Sequence, residues 1–342
     1  MTPFRPQTQD PAPPALDHVL GPLKEELEAV TGRITLALDH PIAHTVLYLI
    51  AAGGKRLRPA LVLLAGGSDR TSARTALVEA AAAVELIHTA TLIHDDIIDQ
   101  SPLRRSQPTF HQRWGTERAV LMGDYLYATA FAMLARLNVP AVTQTMADVC
   151  QQLCRGELRE VEARYRLDLR EEEYLDIIRD KTASLIGGCC HIGAHLGGGS
   201  PETVARLTEF GVNFGLAFQI IDDCLDLTGD QQQMGKSVLS DLDKGALSLP
   251  IIYLAQMLDE PERAALFAPL RLPAGKAGEH ATDPEFLARV AQAARTSGAI
   301  AKAEARALAL IATAQAALAH APMDGLRAAY AQLADYAISR RS

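Results

Sequence analysis

Three aspartates, Asp95, Asp96 and Asp99, close the segment LIHTATLIHDDIIDQSPLRR at residues 86–105. On a helix of 3.6 residues per turn Asp95 and Asp99 stack one above the other, with Asp96 turned about 100° aside. Like charges at this spacing destabilise a helix by roughly 0.2–0.5 kcal/mol per pair. Ser101-Pro102 ends the helix just beyond them. The carboxylates then sit at the negative end of the helix dipole, where cations are favoured. Fold stability does not ask for acids there; a bound divalent metal does. One acidic helix end also reads as a solvated cap. The segment FGLAFQIIDDCLDLTGD, residues 214–230, repeats the plan with Asp222, Asp223 and Asp226 ahead of a stop at Gly229. Two such clusters facing each other across a cavity suit Mg2+, a hard ion that keeps water and shares carboxylates with substrate phosphates.

Cations accompany the acids. Lys55, Arg56 and Arg58 lie in GGKRLRP, beside two glycines that let the backbone turn. Lys as a point charge and Arg as a planar fork are the usual phosphate ligands, although a basic surface helix start has the same look. Arg104 and Arg105 follow the first aspartate cluster. His88 lies two turns before Asp95 on nearly the same face, as a ligand or as a hydrogen-bonded core residue. Lys181-Thr182 opens KTASLIGG inside an apolar helical pattern, where a buried lysine needs a partner or an anion. Gln219 precedes the second cluster by one turn, and Lys236 and Lys244 flank Asp241 and Asp243 beyond it.

The elements that must position these groups are helices. Patterns of helical period run over residues 16–31, 42–52, 72–100, 118–135, 142–164, 171–196, 201–228, 249–257, 283–318 and 323–339, and no stretch alternates with period two. The expected fold is all-α, a single domain over residues 16–342. A proline-rich disordered tail is expected over residues 1–15 and a surface loop over 270–283. The 72–100 helix, rich in alanine and with little polarity, should be central and buried.

Of the 342 residues 48% are hydrophobic and only 5% aromatic, which allows a sizeable core of Ala, Leu, Ile and Val. The net charge of −8 speaks against nucleic-acid binding, while metals can still invert the local field for anions. Cys150, Cys154, Cys189, Cys190 and Cys224 fall in apolar helical patterns without zinc-type spacing. Buried reduced thiols, and with them a cytoplasmic location, are expected. The polar, proline-rich start leads to the expectation of no signal peptide, and apolar runs broken by charge predict no spanning helix.

With these residues in view the chain resembles the trans-isoprenyl diphosphate synthases of the polyprenyl synthase family, on the side of the longer-chain branch. The matching segments are GGKRLRP, ELIHTATLIHDDIID with its LRR, GDYLYATAF, GEL, KTASL and FQIIDDCLDLTGD followed by GK, SDL and LSLP, in family order over residues 53–250. The resemblance implies the isoprenoid synthase fold, a bundle of about ten or more helices around a central cavity. It also implies head-to-tail condensation of isopentenyl diphosphate with an allylic diphosphate. Asp95, Asp99 and Asp222 would ligate Mg2+, a set of three ions bound with the allylic diphosphate, and Asp96, Asp223 and Asp226 would complete the clusters. Arg104, Lys181 and Lys236 would hold that diphosphate. Lys55, Arg58, His88 and Arg105 would bind isopentenyl diphosphate, and Thr182 and Gln219 would lie along the allylic carbons. A homodimer is implied as well, and peripheral membrane contact at product release is compatible with it. Ala246 stands in GALSLP where many relatives have Lys, with Lys244 two residues before it.

Product length follows from size. Thr91 and Ala90, four and five residues before Asp95, are small where bulky aromatics would close a tunnel along the helix. Deeper floor candidates are Ile87, Val84, Tyr127 and Phe131. A narrow apolar tunnel cannot absorb a bulky side chain without strain, so these small residues predict growth to about thirty carbons or more. A farnesyl or geranylgeranyl diphosphate synthase is the shorter-chain alternative, and a subunit of a heteromeric synthase another. A terpene cyclase would not need GGKRLRP, and a structural all-α protein explains neither aspartate cluster.

Overall fold

The computed structural model describes residues 20–38, 40, 43–51, 56–67, 73–104, 107–228, 242, 244–270, 284–319 and 327–339. Helices α1 (Lys24–Ala37), α2 (Leu47–Ala51), α3 (Leu57–Ala65) and α4 (Arg74–Ile98) come first. The chain continues through α5 (Phe110–Trp114), α6 (Thr116–Arg136), α7 (Pro140–Ala163) and α8 (Glu171–Ile178). Next are α9 (Ser184–Leu196), α10 (Pro201–Thr228), α11 (Leu249–Met257) and α12 (Glu260–Leu266), then α13 (Pro284–Thr296), α14 (Ala299–Ala319) and α15 (Arg327–Ser339). The tail at 1–15 and the loop at 270–283, apart from Leu270, lie outside the described residues.

Helix α4 is the axis. Ala80 to Ala83 are all fully buried, and their small side chains let α1, α3, α6 and α9 pack closely around it. By length and composition alone α4, with Glu79 and Glu85 the acids of its middle, is long and apolar enough to cross a membrane, a test that the buried core helix of a globular protein also meets. Within the fold 67% of its most apolar window is buried by other helices. A second group centres on α10, which packs on α9, α14 and α15. There Phe210 stacks on Phe214 at 5.7 Å and meets Tyr330 edge-on at 4.8 Å.

Helices α3, α5 and α12 and one hairpin escaped the sequence patterns. Helices α5 and α12 are too short to show a period, and β1 (Leu103–Arg104) pairs with β2 (Gln107–Pro108) in a two-residue antiparallel hairpin. The span read as one helix over 283–318 is two, broken at Gly298, whose φ of +84° an L side chain rarely adopts. The 171–196 span is continuous but not uniform, since a π turn at Arg179–Ala183 joins α8 to α9. The cysteines divide: Cys189, Cys190 and Cys224 are buried as expected, whereas Cys150 is only half-buried and Cys154 is exposed. Cys154 is on the solvent-accessible wall of a cavity, which its apolar neighbours in sequence did not reveal.

Candidate active site

A cavity of about 1830 Å³ opens between α4, α6, α7 and α10 and runs on past α1 and the N-terminus of α3. From α4 it receives His88, Thr91, Asp95 and Ile98, and from α10 Phe218, Gln219 and Asp222. Thus one aspartate of each cluster, Asp95 and Asp222, faces the same space. Lys181 and Thr182 enter from the π turn, Glu157 from α7, and Arg58 from α3.

The remaining aspartates are engaged. Asp96 is 2% exposed. The hairpin turns Arg104 back on it, with Nε 2.9 and 3.0 Å from the two carboxylate oxygens. Asp99 accepts from Arg164 Nη2 at 2.9 Å and from Lys244 Nζ at 3.0 Å. Burial would raise its pKa, but Lys244, Lys181 and Arg164 hold it below the usual carboxylate value. Asp223 is buried and accepts from Tyr174 Oη at 2.6 Å and from Gln219 Nε2 at 2.9 Å. Asp226, half-buried, lines neither this cavity nor the smaller one beside it. Asp99, Arg164, Lys181, Asp223, Lys244 and Ala246 all line that smaller one.

Asp95 differs from its neighbours. Burial pushes its carboxyl up to about 7, with Lys181 and Arg104 lowering it and Glu157 and Asp99 raising it. Lys181 is flanked by Glu157, at 2.8 Å from Oε2, and by Glu160. Burial alone would lower its pKa, but Glu160, Glu157 and Asp95 together raise it. Thr182 Oγ1 donates to Gln219 Oε1 at 3.0 Å, so Thr182, Gln219, Asp223 and Tyr174 form one hydrogen-bonded chain.

On the α3 side Arg58 Nη1 lies 3.0 Å from His88 Nε2. Arg56, of the same basic run, serves the fold: it pairs with Glu85 at 2.7 Å and donates to the Ile50 carbonyl. Lys55, Arg105 and Lys236, together with Asp241 and Asp243, lie outside the described residues. Of the chain-length candidates, Thr91 and Tyr127 line the cavity. Ala90 and Ile87 are fully buried in the core, and Phe131 packs against that core without reaching the cavity. The helical face toward the cavity is therefore that of Thr91 and Asp95, one step round from Ala90.

Sequence reasoning missed Glu157, Glu160, Arg164 and Tyr174. The GELRE run held a signal, since two glutamates three residues apart on a helix face one neighbour. Tyr174 gave none, because a tyrosine in an apolar pattern reads as core.

The donor set fits a divalent metal only in part from the protein itself. Among the described residues no group of three or more His, Cys, Asp or Glu is gathered to hold an ion. Asp95 and Asp222 across one cavity, with cations nearby, suit an ion whose remaining ligands would come from water and a phosphate-bearing molecule.

The polyprenyl synthetase family model matches residues 39–279. A heptaprenyl diphosphate synthase component 2 of Geobacillus stearothermophilus is 40% identical over 72% of this chain and 77% of its own. A short chain isoprenyl diphosphate synthase of Methanothermobacter thermautotrophicus is 35% identical over 94% of this chain and 99% of its own. The crystal structure of a polyprenyl synthase from Caulobacter crescentus, complexed with calcium and isoprenyl diphosphate, superposes with a TM-score of 0.88 at 32% identity, covering 98% of this chain and 100% of that one. Since both sequence and fold agree over nearly the whole chain, the protein belongs to the polyprenyl synthetase family and is a prenyl diphosphate synthase.

Proposed function

We propose that the protein condenses isopentenyl diphosphate with an allylic diphosphate in an Mg2+-dependent reaction and extends the product to a long chain. The observation that carries this reading is the cavity itself. Its volume of about 1830 Å³ exceeds the roughly 300–1,000 Å³ of an ordinary small-molecule pocket. Its lining combines charged groups at Asp95, Asp222 and Lys181 with apolar side chains such as Leu92, Leu153, Leu185 and Phe218. Room for two diphosphates and a growing tail accounts for both features. The heptaprenyl relative supports the long product by its name.

Asp95, Asp99 and Asp222 would hold the metal, with Asp99 exchanging its present cations for it. When bound, a divalent ion neutralises the charge that develops on the departing diphosphate. Lys181, with Arg104 and Lys236, adds fixed positive charge on the protein side. Arg58 and His88, with Lys55 and Arg105, form the second anion site for isopentenyl diphosphate. Thr182 gives its proton to Gln219, so the hydroxyl offers lone pairs to a positive allylic carbon. Phe218, Leu153 and Leu185 line the same space and keep water from the cation. The departing diphosphate is the base at hand for the final proton.

A homodimer is supported by Leu121 and Tyr125, one turn apart on α6 and 67% and 41% exposed. The deciding experiment is incubation of the purified chain alone with labelled isopentenyl diphosphate and allylic starters of increasing length, with products resolved by size. A product that stops at fifteen or twenty carbons would overturn the long-chain reading. Activity only after a second, different subunit is added would favour a heteromeric enzyme, as the word component in the relative's name invites.

A further inference from the structure

One stretch of α7, RGELRE at residues 155–160, addresses a single turn of the neighbouring helix. Between α8 and α9 the backbone leaves α geometry in the π turn, and Ser184 N–H donates to the Arg179 carbonyl five residues back. Such turns are rare and recur at functional sites. This one carries Lys181 and Thr182 to the cavity wall. Its sequence, RDKTA, contains neither Gly nor Pro, so the backbone's own preferences do not account for it.

The contacts from α7 do. The Asp180 side chain is 6% exposed, and it receives Arg155 Nε at 2.7 Å, Arg155 Nη2 at 2.8 Å and Arg159 Nη1 at 3.1 Å. The Asp180 carbonyl accepts from Ser184 Oγ at 2.6 Å. Gly156 lets the two backbones meet: a Cβ there would stand 2.5 Å from the Lys181 nitrogen. Lys181, the next residue along, is held by Glu157 and Glu160. At 100° per residue Arg155 and Arg159 share one flank of α7, Glu157 and Glu160 share another, and Gly156 lies between. Asp180 and Lys181 therefore straddle one helix.

We infer that Asp180, gripped by Arg155 and Arg159, is a positioning residue that pins the π turn so that Lys181 and Thr182 project into the cavity. The inference rests on the reading of Lys181 and Thr182 as substrate-facing groups. A buried carboxylate is costly unless paired, so the bidentate grip ties the turn to α7 at Asp180. Without the grip, the turn can relax toward α geometry and rotate Lys181 and Thr182 away while the helix survives. A misplacement of about 1 Å in a catalytic constellation costs on the order of 10²-fold in rate.

The test compares Asp180→Asn, Asp180→Glu, the double variant Arg155→Gln/Arg159→Gln and Lys181→Met, by steady-state kinetics with Mg2+ and by thermal melting. Asp180→Asn and the arginine double variant should lose about 10- to 100-fold in kcat, with KM for isopentenyl diphosphate at its parental value. Asp180→Glu should recover part of the loss. The arginine side chains are about half exposed, so the double variant decides the matter should Asp180→Asn fail to fold. A clamp that is merely structural lowers the melting temperature and leaves kcat alone, and that result overturns the inference. An impaired Lys181→Met beside unimpaired clamp variants overturns the clamp only. A fully active Lys181→Met removes the role of Lys181 and the positioning argument with it.

Discussion

Asp95 and Asp222 are the members of the two aspartate clusters that face the large cavity, while Asp96 and Asp223 are buried among hydrogen-bond donors. That division makes a residue-scale prediction. Asp95→Asn and Asp222→Asn should each lower kcat by about 10²–10³-fold, the cost of losing one preorganised electrostatic group, with the melting temperature held. Asp96→Asn should instead lower the melting temperature, because Arg104 loses the charge of a buried partner. Equal melting shifts for all three would show that the clusters are structural throughout. The basic residues split in the same way. Arg58→Ala should raise KM for isopentenyl diphosphate, and Lys181→Met should act on kcat or on the allylic substrate. A shift of one and the same parameter by both would refute two separate anion sites.

At the scale of the element, the face that α4 turns to the cavity should set product length. Thr91 is on the wall, its hydroxyl donating to the His88 carbonyl at 2.7 Å, and Ala90 is in the core. Thr91→Phe should put a ring across the tail's path and shorten the products while the first condensations continue. Ala90→Phe enters packed core and should cost about 1–3 kcal/mol in stability, with product length kept. Chromatography of the products and chemical denaturation separate the two effects, and a long product from Thr91→Phe would move the tunnel to another wall.

For the molecule as a whole, activity should vanish in excess EDTA and return with Mg2+ or Mn2+. Turnover that persists without divalent metal is incompatible with a role for the aspartates as ligands. The exposed apolar pair on α6 makes a second whole-molecule prediction. Leu121→Lys should dissociate the homodimer in sedimentation velocity, since a desolvated charge at an interface is strongly unfavourable. A dimer unchanged by this substitution uses another face.

The sequence by itself determined the all-α class, the helical frame of most long segments and the two aspartate clusters. Helical periodicity, proline and glycine stops and paired acidic residues are local signals, written within a few turns of chain. It also carried the family likeness from residue 53 to residue 250. Tertiary structure alone decided which aspartates face the cavity, because Arg104, Arg164, Lys244 and Tyr174 reach them from other elements. The choice of Thr91 over Ala90 depended on how α4 is rotated against α6 and α7, and one residue's step along a helix turns a side chain by about 100°. The π turn under Lys181 was invisible for the same reason: nothing in RDKTA requires it, and what holds it is the pairing of Asp180 with two arginines more than twenty positions earlier.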